Sequence, residues 1–398
     1  MILEMRNVQR PSAKSKGFSF YEFFAGGGMA RAGLGDGWRC AFANDFDPSK
    51  AAIYRDNWGH DSMVMEDVNL ITTTALSGEV DLAWASFPCQ DLSLAGNYAG
   101  LGLPASKTQT RSGSFWPFWR LMQGLVKERR SPRVIVLENV YGALTSNEGR
   151  DFASICAALT EAGYRFGAMV IDARLFLPQS RQRLFVVAVR GNIPIASGLH
   201  ARFPIPVWHP PTLLGAFNKL HPDTKKRWLW WNLPVPPRHS MRLADIIEEK
   251  PTGVEWHTKA ETERLIKMMS SINLAKLDAA KKSGRREVGG VYKRTRVIDG
   301  VKAQRAEVRF DDLAGCLRTP GGGSSRQTII VVDGNHVRSR LLSPREASRL
   351  MGLPDTYKLP DRYNDGYHLA GDGVVVPVVR HLARNLIEPV LLSQPGNT

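Results

Sequence analysis

With 398 residues, 43% of them hydrophobic, the chain can bury a large core and is longer than one compact domain usually is, so two domains are expected. Lysine and arginine number 53 against 38 aspartates and glutamates, a formal charge of +15 that points to a polyanionic partner, nucleic acid first. The four cysteines (Cys40, Cys89, Cys156 and Cys316) form no CxxC pair, which excludes a zinc or disulfide framework, and no apolar window suits a signal peptide or a bilayer span, so a soluble cytoplasmic protein is expected.

From Phe18 to about Arg190 the apolar runs FSFYEFF, RCAFAN, EVDLAWAS, RVIVLEN and RLFVVAV alternate with helically spaced stretches such as DPSKAAIYRDNW, SFWPFWRLMQGLVKERR and DFASICAALTEAGY. Near-continuous apolarity marks strands covered on both faces. The alternation predicts a parallel sheet flanked by helices, with ligands beyond the carboxyl ends of the strands. After the first run, FFAGGGM forms a glycine turn that exposes backbone amides, with neither the GxGxxG spacing nor the lysine of a phosphate loop. The second run ends in NDFD, placing Asp45 where an acidic residue binds a ribose hydroxyl pair and Phe46 where a ring can stack on adenine. A third, MVMEDVN, ends at Asp67, an acceptor suited to an exocyclic amine.

The fourth run leads into SFPCQDLSLAG. A free cysteine is ordinarily a small buried hydrophobe, but Cys89 follows a proline at a strand end, where catalytic groups gather. The fifth run delivers Glu138 and Asn139 to the same edge, where burial raises a carboxyl's proton affinity and suits it to act as an acid. In PQSRQR, Arg181 and Arg183 alternate onto one strand face, and with Glu138 and Cys89 they are suited to hold a flat heterocycle by its polar edge.

Beyond Gly191 the texture changes. Residues 191–240 are crowded with proline, tryptophan and histidine and are predicted to be irregular. AETERLIKMMSSINLAKLDAA carries an amphipathic helical pattern, and KKSGRREVGGVYKRTR sets seven basic residues against one acidic one, a phosphate-contacting surface. In SPREASRLMGLPD, Ser343 is the N-cap, Pro344 the first helical residue and Glu346 the capping-box partner, with Gly352 and Pro354 as the stop. GDGVVVPVVRHLARNLI gathers Val378, Val379, Leu382, Leu386 and Ile387 on one helical face, expected to return to the first domain. The expected units are residues 1–190, 191–366 and 367–398.

Taken in order, FFAGGGM, NDFD, EDV, SFPCQ, RSGSFW, LENV, PQSRQRLFVVA, LRTPGGG and GDGVVVPVV resemble the motif series of DNA (cytosine-5) methyltransferases of the prokaryotic restriction-modification type, over nearly the whole chain. The resemblance implies an α/β, Rossmann-like methyltransferase fold with a mostly parallel sheet and a smaller, irregular target-recognition domain. It implies S-adenosyl-L-methionine across the first strand ends, with Phe24, Ala25, Gly26 and Gly28 at its methionine portion and Asp45 at the ribose. Phe46 and Val68 would sandwich the adenine and Asp67 take its amino group, while Ser86, Pro88, Ser114, Asp372 and Val374 complete the cofactor set. Double-stranded DNA is the implied partner, its target cytosine rotated out of the stack. Cys89 would attack carbon 6 as a thiolate, Glu138 donate to ring nitrogen 3, Arg183 hold the carbonyl oxygen and Arg181 position the glutamate, before methyl transfer to carbon 5. The segment after Cys89 resembles the family's mobile loop that closes over DNA.

The resemblance further implies a monomer that needs no metal or membrane, with any cognate endonuclease acting without direct contact. Four residues depart from the family pattern: Gly27, Met29, Ser114 in place of a common leucine, and Asp372 in place of the usual asparagine. They bear on cofactor affinity rather than on the reaction. Two alternatives use the same residues, an RNA (tRNA) cytosine-5 methyltransferase and a DNA-binding regulator without catalysis. The basic insertion between QSRQR and LRTP favours DNA, and intact Cys89, Glu138, Arg181 and Arg183 favour catalysis.

Overall fold

The computed structural model describes residues 17–88, 115–298, 301–317 and 326–393. Its main sheet has seven strands: β1 (Phe18–Phe23), β2 (Trp38–Asp45), β3 (Met63–Met65), β4 (Leu82–Ala85), β5 (Val134–Val140), β6 (Tyr164–Asp172) and β7 (Gln182–Arg190). They lie in the order β3-β2-β1-β4-β5-β7-β6. β1 to β5 run parallel, and β7 is inserted antiparallel between β5 and β6. The expectation of a mostly parallel α/β sheet therefore holds, with β7 as its exception.

The continuous apolarity of the strands has a simple cause, which is that each face of the sheet carries its own core. Phe20, Leu82, Trp84, Val134 and Val136 face one side, and Tyr21, Phe23, Ala83, Ala85, Ile135 and Leu137 face the other. Helices α1 (Met29–Leu34) and α2 (Pro48–Trp58) follow β1 and β2. α3 (Phe115–Lys127) and α4 (Arg150–Glu161) cover the second face with Phe118, Leu125, Phe152 and Leu159. Because β1 connects outward to β2 while β4 lies on its other side, the chain reverses direction between β1 and β4, and a crevice opens at their carboxyl ends.

β6 was not among the runs expected from sequence, since Gly167 interrupts YRFGAMVID. The glycine is there for contact, because a Cβ would stand 1.9 Å from Leu229 O. Phe166 N donates to Arg227 O (3.0 Å), Leu229 N to Phe166 O (2.7 Å) and Val170 N to Trp208 O (2.8 Å), so the irregular segment is laid along β6. That segment holds β8 (His200–Ala201), α5 (Pro211–Asn218), α6 (Pro222–Lys225) and β9 (Trp230–Trp231). Trp208 and Trp231 are fully buried against the main sheet, with Trp231 Nε1 donating to Val187 O at 3.1 Å.

After α7 (Leu243–Ile246) come α8 (Lys259–Lys267), α9 (Ser271–Lys282) and a second, antiparallel sheet of β10 (Glu287–Ile298), β11 (Val301–Arg309), β12 (Thr328–Asp333) and β13 (His336–Leu341), ordered β11-β10-β12-β13. The single amphipathic pattern expected before this sheet is split between α8 and α9. The helix stops because Met268 O accepts from Ala306 N of β11 (3.0 Å) and Met269 is buried in the second core.

α10 (Pro344–Leu350) carries the expected capping box, Glu346 N to Ser343 Oγ at 3.1 Å and Ser343 N to Glu346 Oε2 at 2.8 Å. α11 (Tyr363–Asp372), α12 (Val376–Leu382), a π-helical turn (Ala383–Ile387) and α13 (Glu388–Leu392) close the chain. Val378, Val379, Leu382, Leu386 and Ile387 are all buried in the core that holds β1 and β4.

Candidate active site

The turn after β1 is built on left-handed backbone at Phe24 (φ 57°), Gly26 (φ 55°) and Gly28 (φ 78°). At the two glycines this conformation is free, while at Phe24 it costs roughly 1–2 kcal/mol. The carboxylate of Asp45 fastens the turn: Gly26 N donates to Oδ2 (2.8 Å) and Asp47 N to Oδ1 (3.0 Å). Burial raises the Asp45 carboxyl above its ordinary value despite Lys50 and the two amides. Next to it the ring of Phe46 is 69% exposed, an unusual setting for an aromatic residue and the one a stacking surface requires. Val68 is buried and Ala25 nearly so. Asp67 is exposed, its Oδ1 accepting from Asn69 N (2.8 Å) and Nδ2 (2.9 Å). Ser86 Oγ accepts from Trp84 Nε1 (3.0 Å), Pro88 is exposed and Val374 buried. Cys89 and Ser114 lie outside the described residues.

The departures at 27 and 29 have packing reasons. Gly27 O accepts from Tyr357 Oη (2.6 Å) and Trp58 Nε1 (2.9 Å), and a Cβ at Gly27 would stand 2.2 Å from Tyr357 Oη. Met29 lies against Gly373, where a Cβ would come within 2.2 Å of its sulfur. The small residue at 27 makes room for the tyrosine, and the large one at 29 fills space left by a glycine.

Glu138, at the end of β5, is 6% exposed, and its Oε1 lies 3.3 Å from Arg183 Nε. Burial pushes its carboxyl upward, against the pull of Arg183, Arg181 and the Ser86 hydroxyl. The adjacent Asn139 Nδ2 donates to Phe87 O (3.2 Å), tying β5 to the residue before Pro88. Arg181 is 2% exposed, and burial, with Arg183 nearby, lowers its pKa to about 10. Of the two arginines, Arg183 lies within ion-pair distance of Glu138, and Arg181 acts on its carboxyl electrostatically. Among the described residues Arg181 donates to Gly371 O and Gly373 O (both 2.8 Å) and to Leu317 O (3.1 Å). Cys316 Sγ sits 3.6 Å from Arg181 Nη1 and 3.8 Å from Arg183 Nη1. Sequence reasoning passed over Cys316, Tyr357 and Lys50, the last pairing with Asp372 (2.7 Å), because each meets the site from far along the chain with no local motif.

The glycine turn, the acidic end of β2 and the buried glutamate–arginine pair lie along one edge of the sheet in this chain order. The model of the C-5 cytosine-specific DNA methylase family matches residues 18–388, and the chain belongs to that family of DNA cytosine-5 methyltransferases. Among its relatives, the type II methyltransferase M.BsuFI of Bacillus subtilis is 25% identical over 378 residues, covering 94% of this chain and 74% of its own length. The type II methyltransferase M.HhaI of Haemophilus parahaemolyticus is 26% identical over 375 residues, 93% of this chain and 94% of its own. Among solved structures, the S. pombe Dnmt2 methyltransferase shares the fold with a TM-score of 0.56 at 16% identity, covering 94% of this chain and 99% of that one. The Entamoeba histolytica methyltransferase EhMeth does so at 0.54 and 15% identity, covering 95% and 98%. Among the described residues no helix is long and apolar enough to cross a membrane.

Proposed function

We propose that this methylase transfers a methyl group from S-adenosyl-L-methionine to carbon 5 of a cytosine rotated out of duplex DNA, through a transient bond between Cys89 and carbon 6. One observation carries the reading: a buried Glu138, its carboxyl pushed toward holding a proton, contacts Arg183 on the sheet edge where β4 ends, four residues before Cys89 in sequence. A protonated Glu138 donates to ring nitrogen 3 while Arg183 engages the neighbouring carbonyl oxygen. The ring then accepts the Cys89 thiolate, and electron density gathers at carbon 5. The bound cofactor supplies an electrophilic methyl group. Loss of the carbon 5 proton to solvent expels the cysteine as its thiolate, the proton on ring nitrogen 3 returns to Glu138, and the aromatic ring is restored.

The cleft suits that cofactor. A Cβ at Gly26 would meet nothing within 4 Å, so the turn faces open space, bordered by the fixed Asp45 carboxylate and the exposed Phe46 ring. We assign Phe24, Ala25, Gly26 and Gly28 to the methionine end, with Ser86, Pro88, Ser114, Asp372 and Val374 completing the cofactor set. Asp45 takes the ribose, and Phe46, Val68 and Asp67 take the adenine. Residues 1–190 and 367–398 form the catalytic unit in this reading and 191–366 the target-recognition unit, although its first part packs on β6. Support for DNA comes from the β10–β11 hairpin, where Arg294 stands directly opposite Arg305 and Lys293, Arg296 and Lys302 are also exposed. Glu307 pairs with Arg294 and Arg296, and the positive excess that remains on the hairpin suits contact with phosphates. The type II names of the relatives support a cytoplasmic partner of a restriction endonuclease.

The test is methyl transfer from labelled cofactor to duplex DNA and to tRNA, with bisulfite sequencing of the DNA product. Cys89→Ala is expected to abolish transfer and leave duplex binding within about two-fold. Turnover by that variant would remove the nucleophile assignment, preference for tRNA would favour the RNA reading, and an inactive wild type would favour the regulator.

A further inference from the structure

Asp372 ends α11 in a segment gripped from several directions. The carbonyls on either side of it, Gly371 O and Gly373 O, both accept from Arg181 Nη2 at 2.8 Å, which anchors the segment to the residue immediately before β7. Gly373 lies against Met29, directly after the glycine turn. The carboxylate itself meets Lys50 Nζ at 2.7 Å, across 322 residues of chain. Lys50 stands in the first turn of α2, whose N-cap Asp47 accepts from Ser49 N (2.8 Å) and Lys50 N (3.2 Å). The same loop holds Asp45, which fastens Gly26.

We propose that Lys50 and Asp372 form an electrostatic latch joining the 371–373 segment to the ribose edge of the cofactor cleft, a positioning pair that sets cofactor affinity rather than the chemical step. The inference rests on reading this cleft as the cofactor's. With the latch closed, two walls from opposite ends of the chain are ordered before the ligand arrives. Without it, binding carries the cost of ordering them. The side chains are 24% and 40% exposed, so the pair is worth little in solvent-screened Coulomb energy, and its removal is expected to cost about three- to five-fold in affinity.

A rival account of the same pair is purely local charge, because the sulfonium cofactor is a cation and S-adenosylhomocysteine is not. The two separate in a calorimetric titration of both ligands. The neutral double variant Lys50→Met/Asp372→Asn is expected to bind both about three- to five-fold more weakly, and the swapped Lys50→Asp/Asp372→Lys to return within two-fold of wild type. In turnover the double variant is expected to raise the cofactor KM with kcat within about two-fold, and its ligand-free melting temperature is expected to stay within about 2 °C of wild type. Wild-type affinity in the double variant overturns the latch, as does a loss confined to the sulfonium ligand. Wild type binding neither ligand instead removes the cofactor reading itself.

Discussion

Two buried glutamates near the carboxyl ends of β1 and β5, strands separated by β4, are set up differently. In the proposed reaction Glu138 gives up a proton, and Glu138→Gln is expected to lower kcat by roughly 10²–10⁴. Because only the protonated carboxyl donates, activity falls as pH rises through its elevated pKa, and a pH–rate profile without that alkaline limb would remove the assignment. Glu22 of β1, 1% exposed, accepts from Arg31 N (3.2 Å) and Tyr54 Oη (3.3 Å), and burial pushes it up to about 7. Its folded pKa lies above the unfolded 4.5, so its contribution is fully present below pH 4.5 and is lost as pH rises toward 7. The loss amounts to about 3 kcal/mol. Urea midpoints at pH 5 and pH 8 are expected to diverge in wild type and to draw together in Glu22→Gln. At this scale the sequence was most informative where chemistry is local. Asp45, Glu138 and Arg183 were legible at strand ends, whereas the neighbours of Arg181 were not.

Between elements, the second sheet is locked to α10 by one fully buried ion pair. Arg340 reaches both carboxylate oxygens of Glu346 at 2.6 and 2.7 Å, and Glu346 also accepts from Ser343 N and Glu248 N (both 2.8 Å). Glu346→Ala strands the guanidinium, and a loss of roughly 3–5 kcal/mol in chemical denaturation is expected. A loss under about 1 kcal/mol would mean the charge finds water. On the hairpin, Glu307 pairs with both Arg294 (3.3 Å) and Arg296, fixing two guanidiniums on one exposed face. Arginine so held suits bidentate contact with guanine, so Arg296→Ala is expected to relax base preference at one target position by about 1–3 kcal/mol. Lys302→Ala is expected to weaken all duplexes alike, and bisulfite profiles on randomised DNA separate the two effects. Legibility was uneven among elements as well. The capping box of α10 was readable because it closes within four residues, while β6 and the break between α8 and α9 were hidden, each being set by a partner strand or loop distant in sequence.

Over the whole molecule the charge of +15 implies counterion release as the main source of DNA affinity. Raising monovalent salt from about 50 to 200 mM is expected to weaken duplex binding by roughly 10³ or more by fluorescence anisotropy, and a flat response would argue against a phosphate-tracking surface. The sequence by itself determined the two-faced strands, the glycine turn, the helix caps and the residue types along the sheet edge, because burial on a strand and capping of a helix depend on neighbours a few positions away. Only the tertiary structure decided that Arg183 is the one to meet Glu138, that Cys316 lies beside both arginines, and that Lys50 closes on Asp372. Partners in a buried or half-buried charge network are chosen by distance through space and by the solvent that folding removes, and neither quantity is written in the order of the residues.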